Sequence, residues 1–241
     1  MSMKMELWQA VIRAIEAAIP EYDAVNEKVS LSRAMKARRF AADKLELREG
    51  MTVLDAGIGP GSMSEVVLSM SNGVTVIGLD ASVKLLHAAR TRLRLSYNDQ
   101  LHLVRRAFEA LPFKDGSISK IVSAYAFRDS RNRTAATEEF YRVSAADGAF
   151  ALIDLGKPES ILKRAFITTY VRYFMPLIAC LSKSNRIHGN PWQMIFPTYE
   201  LLETNHNLVQ SLRTRFAEVR IWEFSLGGLI VILAQKARLS A

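Results

Sequence analysis

The chain has 241 residues, of which 49% are hydrophobic and 23% charged, proportions that suit one α/β domain with a single core. The net charge of +8 comes from basic residues spread along the chain, which favours ordinary solubility or a diffuse membrane-facing surface over a nucleic-acid-binding tract. Cys180 is the only cysteine, so an internal disulfide and a cysteine-rich metal site are excluded, and because the four histidines lack ligand spacing we expect no metal.

Two kinds of targeting segment are not indicated by the sequence. Residues 1–21 form an amphipathic pattern with charges throughout, without the uninterrupted apolar stretch of a secretory signal. The most apolar segment, 165–181, contains Arg172 and Pro176 and is barely long enough to cross a bilayer, so we predict no transmembrane span. A cytoplasmic location is the natural expectation.

The first part of the chain is predicted to be helical. Apolar residues recur at helical spacing over residues 3–18, and Pro20 is expected to end that helix. A second helical region is predicted from about residue 23 to residue 47. Periodicity alone indicates a pair of helices that closes a pocket.

A glycine-rich loop follows the first predicted strand. The apolar strand ends in Asp55, and three glycines then stand on alternate residues at Gly57, Gly59 and Gly61. Glycine allows a sharp turn and a close approach of backbone to ligand. A strand, a glycine turn and a helix form the nucleotide-binding corner of a doubly wound sheet. The third glycine comes one place too early for the dinucleotide fingerprint, which favours an adenosine ligand without a pyrophosphate.

The second strand ends in Asp80, followed by Ala81 and a helix. A carboxylate at the tip of the second strand can accept both hydroxyls of a ribose. Together with the glycine loop, Asp80 predicts nucleoside binding. The pair resembles the S-adenosylmethionine (SAM) site of class I methyltransferases.

The middle of the chain alternates strands with helices, which implies a parallel sheet with right-handed crossovers. The predicted strands are 52–56, 74–79, 101–106, 118–124 and 149–154, and the predicted helices are 61–71, 82–95 and 134–144. The tail is predicted to contain a long helix at 160–183 interrupted near Pro176, a short helix at 198–211 and two β runs at 215–222 and 229–234.

We therefore predict an α/β fold with a doubly wound, mostly parallel, seven-stranded Rossmann-like sheet that ends in an antiparallel hairpin. Helices precede the sheet, and a helical insertion follows its fifth strand. A single domain is expected, with a helical cap (1–47), a SAM-binding core (48–156), a helical substrate-side segment (157–212) and a C-terminal hairpin (213–237).

From Tyr22 to Lys236 the chain resembles the ubiquinone/menaquinone biosynthesis C-methyltransferase family. Four stretches carry the resemblance: Tyr22, Asp23, Asn26 and Ser30 in the pattern Y-D-x-x-N-x-x-x-S, the glycine loop at 53–61, residues 108–115 close to A-E-x-L-P-F-x-D, and residues 124–129 in place of S-F-G-L-R-N. The first and the fourth are the more specific to this family.

The resemblance implies SAM as cofactor and C-methylation of the ring of a lipid quinol, such as a demethylmenaquinol or ubiquinol precursor. The implied cofactor-binding residues are Asp55, Gly57, Gly59, Pro60, Gly61, Asp80, Ala81, Ala107, Phe108 and Ala124. Tyr22, Asn26, Tyr125 and Arg128 are expected to bind the acceptor. Arg128 always carries a charge and would stabilise a phenolate, Asp129 would be the base, and Asp154 is a weaker candidate.

Three residues depart from the family pattern. Ala107 removes a polar side chain expected to contact the adenine amino group, and a backbone contact at Ala107 or Phe108 could replace it. Asp129 replaces an Asn, and Ser32 replaces a Gly. SAM binding survives these changes, and the identity of the acceptor is the property they leave open.

Other functions are left as alternatives. A nucleic-acid methyltransferase is disfavoured, because no N/D-P-P-Y/F element follows the fourth strand and no cysteine lies near it. A non-catalytic subunit of the same fold would explain Ala107 but not the intact glycines. Methylation of another small hydrophobic acceptor is the main rival.

Two kinds of contact with other molecules are left open. The helix predicted at 160–183 carries an apolar stripe flanked by basic residues, which is typical either of peripheral membrane contact or of a lid over the pocket. Homodimerisation is also left open.

Overall fold

The computed structural model describes residues 3–182 and 190–236, which form a seven-stranded sheet flanked by helices. The strands are β1 (Thr52–Ala56), β2 (Thr75–Asp80), β3 (Leu101–Arg105), β4 (Ile118–Ala124), β5 (Ser144–Leu155), β6 (Glu218–Phe224) and β7 (Leu229–Gln235). Their order is β3-β2-β1-β4-β5-β7-β6; the first five are parallel, and β7 is antiparallel to both of its neighbours. The predicted fold class is confirmed.

Ten α-helices lie within the described residues. They are α1 (Met5–Ala18), α2 (Tyr22–Val29), α3 (Ala34–Lys44), α4 (Ser62–Met70), α5 (Val83–Tyr97), α6 (Arg133–Val143), α7 (Ile161–Thr169), α8 (Met175–Ser182), α9 (Ile195–Glu200) and α10 (Asn205–Arg213). A π-helical turn, Tyr170–Phe174, connects α7 to α8.

Alternation along the strands divides the core into two layers. Val53 packs in one buried cluster with residues of α3 and α4, whereas Leu54 packs in another with residues of α6 and α10. Successive side chains of a strand point to opposite faces, so a strand buried on both faces is apolar at nearly every position. The carboxyl ends of β1 to β5 meet at one edge, and the strand order reverses between β1 and β4, where ligands of such sheets bind.

Two predicted helices are each divided in the structure. The segment predicted as one helix at 23–47 is α2 and α3, because Leu31 and Ser32 take positive φ angles of 54° and 60°. The Ser30 hydroxyl supports the start of α3, since it accepts hydrogen bonds from Arg33 N at 3.2 Å and from Ala34 N at 2.9 Å. A glycine suits φ +60°, which explains the family Gly at position 32. The helix predicted at 198–211 is α9 and α10, with Thr204 as the N-cap of α10.

In the long helix predicted at 160–183, the buried side chains are not those of the predicted apolar stripe. Its inner side chains, Ile167, Val171, Met175 and Ala179, pack in a third cluster with residues of α1, α2 and α9. The predicted stripe residues Leu162, Phe166, Phe174, Leu177 and Leu181 are exposed, and Tyr170 is half-buried. Lys183 lies outside the described residues.

This helix is long and apolar enough to cross a membrane, a test of length and composition that does not contradict the prediction of no transmembrane span. By length and composition alone, Ile161–Ser182 meets that test with a mean hydropathy of 1.3. Packing of its inner side chains on α2 gives it instead the position of a surface helix of the domain.

Gly61 combines a positive φ of 93° with close packing against α5, where a Cβ would lie 3.2 Å from Leu93 Cδ1 and 3.3 Å from Ala89 Cα. We expect Gly61→Ala to lower the free energy of unfolding by about 2–3 kcal/mol, of which about 1–2 comes from the left-handed backbone. Urea denaturation measures this quantity.

Gly50→Ala is the matched control, because Gly50 also has a positive φ (80°) and a Cβ there would meet nothing within 4 Å. It should cost about 1–2 kcal/mol, the left-handed backbone cost alone. Equal losses in the two variants would contradict the packing contribution assigned to Gly61.

Candidate active site and cofactor cavity

The glycine loop turns the chain from β1 into α4 at the reversal of strand order. Gly57 N and Ile58 N both donate to Leu79 O, at 2.8 and 3.0 Å, which ties the loop to the end of β2. Gly57 has a φ of 81°, and a Cβ there would collide with Ala126 and crowd the Phe108 ring. The turn therefore requires glycine for its conformation and for its packing.

Asp80 is held rigidly at the tip of β2. Its Oδ2 accepts a hydrogen bond from Gly59 N at 3.1 Å and its Oδ1 one from Ser82 N at 2.9 Å. Burial raises the pKa of Asp80 to about 6, against the lowering effect of these backbone bonds. The arrangement fixes the carboxylate beside the loop, where it can accept ribose hydroxyls.

A small cavity of about 70 Å³ opens between the glycine loop and α1. Half of the predicted cofactor residues line it: Gly57, Asp80, Ala81, Ala107 and Phe108. Trp8, Val11, Ile12 and Ile15 of α1 cover it, and Glu16 holds the helix there by accepting a 2.6 Å bond from Ser82 Oγ. The N-terminal helix α1 thus covers the smaller cavity.

The other predicted cofactor residues do not line the smaller cavity; they belong to the glycine loop or to the strands β1 and β4. Gly59 N bonds Asp80, Gly61 is the N-cap residue of α4, and Ala124 is buried in the core at the end of β4. Asp55 is fully buried; its Oδ2 accepts a 2.7 Å bond from Ser64 Oγ, and its Oδ1 has no partner. Burial raises the pKa of Asp55 to about 6.

A polar clamp that the sequence did not reveal joins α2 to the loop. Arg92 of α5 donates to Pro60 O at 3.3 Å and to Ser62 Oγ at 2.7 Å, and it forms an ion pair with Asp23. Asp23 also accepts a 2.6 Å bond from Ser62 Oγ. The only sequence signal for this clamp was the place of Asp23 in the first motif.

A larger cavity of about 320 Å³ lies on the other side of α1. All four predicted acceptor residues line it: Tyr22, Asn26, Tyr125 and Arg128. The rest of its wall is almost entirely apolar and comes from α1, α2, the α7–α8 helix, Trp192 and the turn before β7. Ile15 lines both cavities, so they are neighbours with a thin partition between them.

Arg128 is the main charged group of the larger cavity. Its Nη1 donates to Asp154 Oδ1 at 2.7 Å and to Tyr125 O at 2.9 Å, and its backbone N donates to Asp154 Oδ2 at 3.0 Å. Burial lowers the pKa of Arg128, but Asp129 and Asp154 outweigh that effect and raise it, so the group stays charged. Its Nε has no partner among the described residues.

Asp129 lies on the cofactor side of the partition. It lines the smaller cavity, forms an ion pair with Arg128 at 3.5 Å between its Oδ2 and Arg128 Nη2, and is approached by the Thr198 side chain. Burial raises the pKa of Asp129 to about 6, against the lowering effect of the Arg128 charge. The sequence prediction of a base remains open, since this carboxyl can accept a proton near neutral pH.

Asn26 faces the larger cavity but already has a partner, because its Oδ1 accepts a 3.2 Å bond from Trp192 Nε1. The Tyr22 hydroxyl is buried, which raises its pKa. Among the described residues no three His, Cys, Asp or Glu side chains converge as metal ligands.

The residues at the switch point fit SAM. SAM is a cation overall, and the buried carboxylate of Asp55 has one oxygen, Oδ1, that no described residue pairs with. The Asp80 carboxylate lies beside the glycine loop, where an adenosine ribose would bind, and Asp55 stands at the end of β1, where the loop begins.

Asp129 generates a pH-dependent stability. Its folded-state pKa lies above the ordinary value near 3.9, so it favours folding below about pH 4, and that contribution is lost as the pH rises through 6. Asp129→Asn should therefore raise the free energy of unfolding of the ligand-free protein at pH 8 by about 1–3 kcal/mol and have little effect at pH 4.

Chemical denaturation at the two pH values measures this effect. Asp154→Asn is the control, because Asp154 binds Arg128 directly and its loss should destabilise the protein at pH 8. A destabilised Asp129→Asn protein at pH 8 would contradict the argument.

The sequence matches known methyltransferases along most of its length. A model of the ubiE/COQ5 methyltransferase family matches residues 3–187. The chain is 25% identical over 178 residues to the ubiquinone/menaquinone biosynthesis C-methyltransferase UbiE of Geotalea uraniireducens, covering 73% of this chain and 76% of that protein. It is 29% identical over 171 residues to the demethylmenaquinone methyltransferase of Thermus thermophilus, covering 71% and 75%.

Solved structures share the fold at low sequence identity. A putative S-adenosyl-L-methionine-dependent methyltransferase of Methanococcus maripaludis has a TM-score of 0.64 at 16% identity and covers 94% of this chain and 95% of its own. A SAM-dependent methyltransferase of Aquifex aeolicus has a TM-score of 0.56 at 17% identity, covering 89% and 98%. Because the family model spans about three quarters of the sequence, the chain belongs to the ubiE/COQ5 methyltransferase family and is a SAM-dependent methyltransferase.

Proposed function

We propose that this enzyme methylates a ring carbon of a lipid quinol, in the cytoplasm at the membrane surface. The observation that carries the proposal is the larger cavity, which is apolar along its walls and carries a single buried guanidinium, Arg128, next to the cofactor cavity. An apolar pocket with few polar groups selects a hydrophobic ligand and orients it. The names of the relatives from Geotalea uraniireducens and Thermus thermophilus support the same class of acceptor.

Arg128 is proposed to stabilise a phenolate on the acceptor. SAM supplies an electrophilic methyl group, so the protein has to orient the acceptor, exclude water and increase electron density on the ring. A guanidinium that keeps its charge favours ionisation of a neighbouring phenol. Arg128 lines the larger cavity, and Asp154 and the Tyr125 carbonyl hold its Nη1 in place.

Asp129 is proposed as the base that accepts the proton lost from the methylated ring carbon. Its pKa of about 6 leaves it mostly ionised at neutral pH and still able to take a proton. Arg128 and Asp129 line opposite sides of the partition, so the base acts at the boundary where the methyl group is transferred.

Arg128→Lys tests the role in the chemical step. A lysine keeps the charge but cannot bind both the Asp154 carboxylate and the Tyr125 carbonyl with a planar fork while leaving a donor for the acceptor. We expect SAM affinity within about twofold of wild type and a turnover lower by roughly 10²-fold, the size of one lost transition-state donor. Methyl transfer from labelled SAM to a panel of quinols and non-quinol phenols measures turnover.

The same panel decides the acceptor. Transfer to a prenylated quinol supports the proposal, whereas transfer only to short hydrophobic phenols would replace it with the rival acceptor class. A parallel loss of SAM affinity in Arg128→Lys would show that Arg128 supports the cofactor and not the acceptor.

The mouth of the larger cavity opens on an exposed apolar surface. Leu31, Phe166 and Leu226 are each more than half exposed and also line the cavity. Around them lies the apolar outer face, which we define as Leu31, Ile161, Leu162, Phe166, Tyr173, Phe174, Leu177, Leu181 and Leu226. Large exposed apolar patches on proteins commonly mark contact with a membrane or with another protein. We infer peripheral contact with the bilayer in which the acceptor is dissolved.

Liposome co-sedimentation tests this contact. Binding should increase with anionic lipid and decrease with salt, because each surface Lys or Arg near the interface contributes about 1 kcal/mol. Phe174→Glu and Leu181→Glu should reduce binding, since both residues are exposed and neither lines the cavity.

Leu95→Glu is the matched control, because Leu95 is the most exposed of the large apolar residues described and belongs to α5. It should leave binding unchanged. A doubled mass in solution that Phe174→Glu abolishes, without liposome binding, would assign the apolar outer face to a homodimer instead.

A further inference from the structure

Trp192 and Asn26 connect two distant parts of the chain in the wall of the larger cavity. Trp192 belongs to the short 3-10 turn Pro191–Met194 and is 4% exposed, and its Nε1 donates to Asn26 Oδ1 at 3.2 Å. Both residues line the larger cavity. The N–H of a buried indole needs an acceptor, and here α2 supplies it from a position 166 residues earlier in the chain.

The indole determines the orientation of the Asn26 amide. An indole nitrogen is a donor only, so the amide atom that faces it is the carbonyl oxygen. The NH₂ group of Asn26 is thereby turned away from Trp192, and none of the described residues accepts a hydrogen bond from it. Asn26 therefore keeps two donor hydrogens in the wall of the larger cavity.

Trp192 is itself held in place. Asn190 Oδ1 accepts a 3.1 Å bond from Trp192 N, and Asn190 Nδ2 donates to Pro176 O at 2.5 Å, which ties the turn to α8. The indole also packs in the third buried cluster, together with Val25 and Met175. A side chain locked by packing and by hydrogen bonds can hold a neighbouring functional group in one orientation.

Asn26 lies about one helical turn from a residue that the charge of Arg128 reaches. Burial raises the pKa of Tyr22, and the charges of Arg38 and Arg128 counteract that rise, so Tyr22 is close to the Arg128 guanidinium. Asn26 follows Tyr22 by four residues on the same side of α2, about 6 Å further along the helix axis. The two oxygens of a 1,4-quinol stand on opposite sides of its ring at a similar separation. Arg128 and Asn26 are thus suited to two different oxygens of one ring.

We propose that Trp192 is a positioning residue, which orients Asn26 so that its amide donates a hydrogen bond to the second oxygen of the acceptor, the one that Arg128 does not bind. The inference deepens the proposed function and rests on it, because it requires a ring acceptor with two oxygens. This hydrogen bond is made before and during methyl transfer, so it strengthens acceptor binding and leaves the chemical step unchanged.

Two acceptors that differ in one oxygen test the inference. One is a prenylated 1,4-naphthohydroquinone, kept reduced, and the other is the prenylated 1-naphthol that retains only the hydroxyl next to the methylated carbon. Trp192→Phe removes the indole N–H and keeps an aromatic ring. With protein saturated by S-adenosylhomocysteine, we expect the Kd of the hydroquinone to rise roughly three- to tenfold, as for one neutral hydrogen bond.

The other measured quantities should not follow that change. The Kd of the naphthol and that of S-adenosylhomocysteine should stay within about twofold of wild type, because neither ligand offers the second oxygen. In methyl transfer from labelled SAM, the KM for the hydroquinone should rise in Trp192→Phe while kcat stays within about twofold.

Two further variants separate positioning from structural support. Trp222→Phe is the matched control, since Trp222 of β6 packs edge-on against Phe40 and lines neither cavity, and it should leave both acceptor affinities unchanged. Asn26→Leu removes the amide itself and should weaken the hydroquinone at least as much as Trp192→Phe does. The double variant should bind the hydroquinone no more weakly than Asn26→Leu alone, because Trp192 acts through Asn26.

Unchanged affinity of Trp192→Phe for the hydroquinone would overturn the inference. An equal loss for the naphthol, or additive losses in the double variant, would also overturn it, since Trp192 would then only support the cavity wall. Binding to the S-adenosylhomocysteine complex does not depend on turnover. Wild-type protein that binds the hydroquinone but methylates only short phenols would therefore contradict the proposed reaction alone, while the Trp192→Phe affinities still decide the role of Trp192.

Discussion

The ion pair between Arg128 and Asp154 organises the active edge of the sheet. Asp154 stands near the end of β5 and takes hydrogen bonds from both the backbone and the side chain of Arg128 in the segment after β4. Two attachments to one carboxylate fix the segment in position and in direction. As a result Tyr125 faces the larger cavity at an unfavourable φ of 61°, and Asp129 faces the smaller one. A strained backbone persists where its surroundings hold it, and this is common in functional sites.

Helix α2 positions further side chains in the wall of the larger cavity. Tyr22 and Asn26 are four residues apart, so they share one side of the helix and line the larger cavity. Asp23 points to another side, where Arg92 and Ser62 bind it beside the glycine loop. The motif Y-D-x-x-N therefore connects the two cavities through one short helix.

The charges at this edge are unusual for a buried region. Asp55, Asp80 and Asp129 all have pKa values raised to about 6 by burial. The loss of solvation brings the pKa of each carboxyl closer to neutral pH, and a cationic cofactor would favour the ionised forms. Part of the stability of the protein is therefore linked to its cofactor, because binding compensates charges that the fold alone leaves incompletely paired.

The sequence alone determined the fold class, the glycine loop, Asp80 and the family, because these depend on local order: apolar runs of strand length, glycines at fixed spacing and an acid at a strand end. It did not determine which side of the α7–α8 helix is buried, since both sides are apolar and periodicity cannot rank them. Nor could it reveal the break at Leu31 and Ser32, where two ordinary residues take left-handed angles. Only the tertiary structure paired Arg128 with Asp154 and placed Arg128 and Asp129 in the walls of different cavities, because the pairing of buried charges depends on distances between segments far apart in the chain.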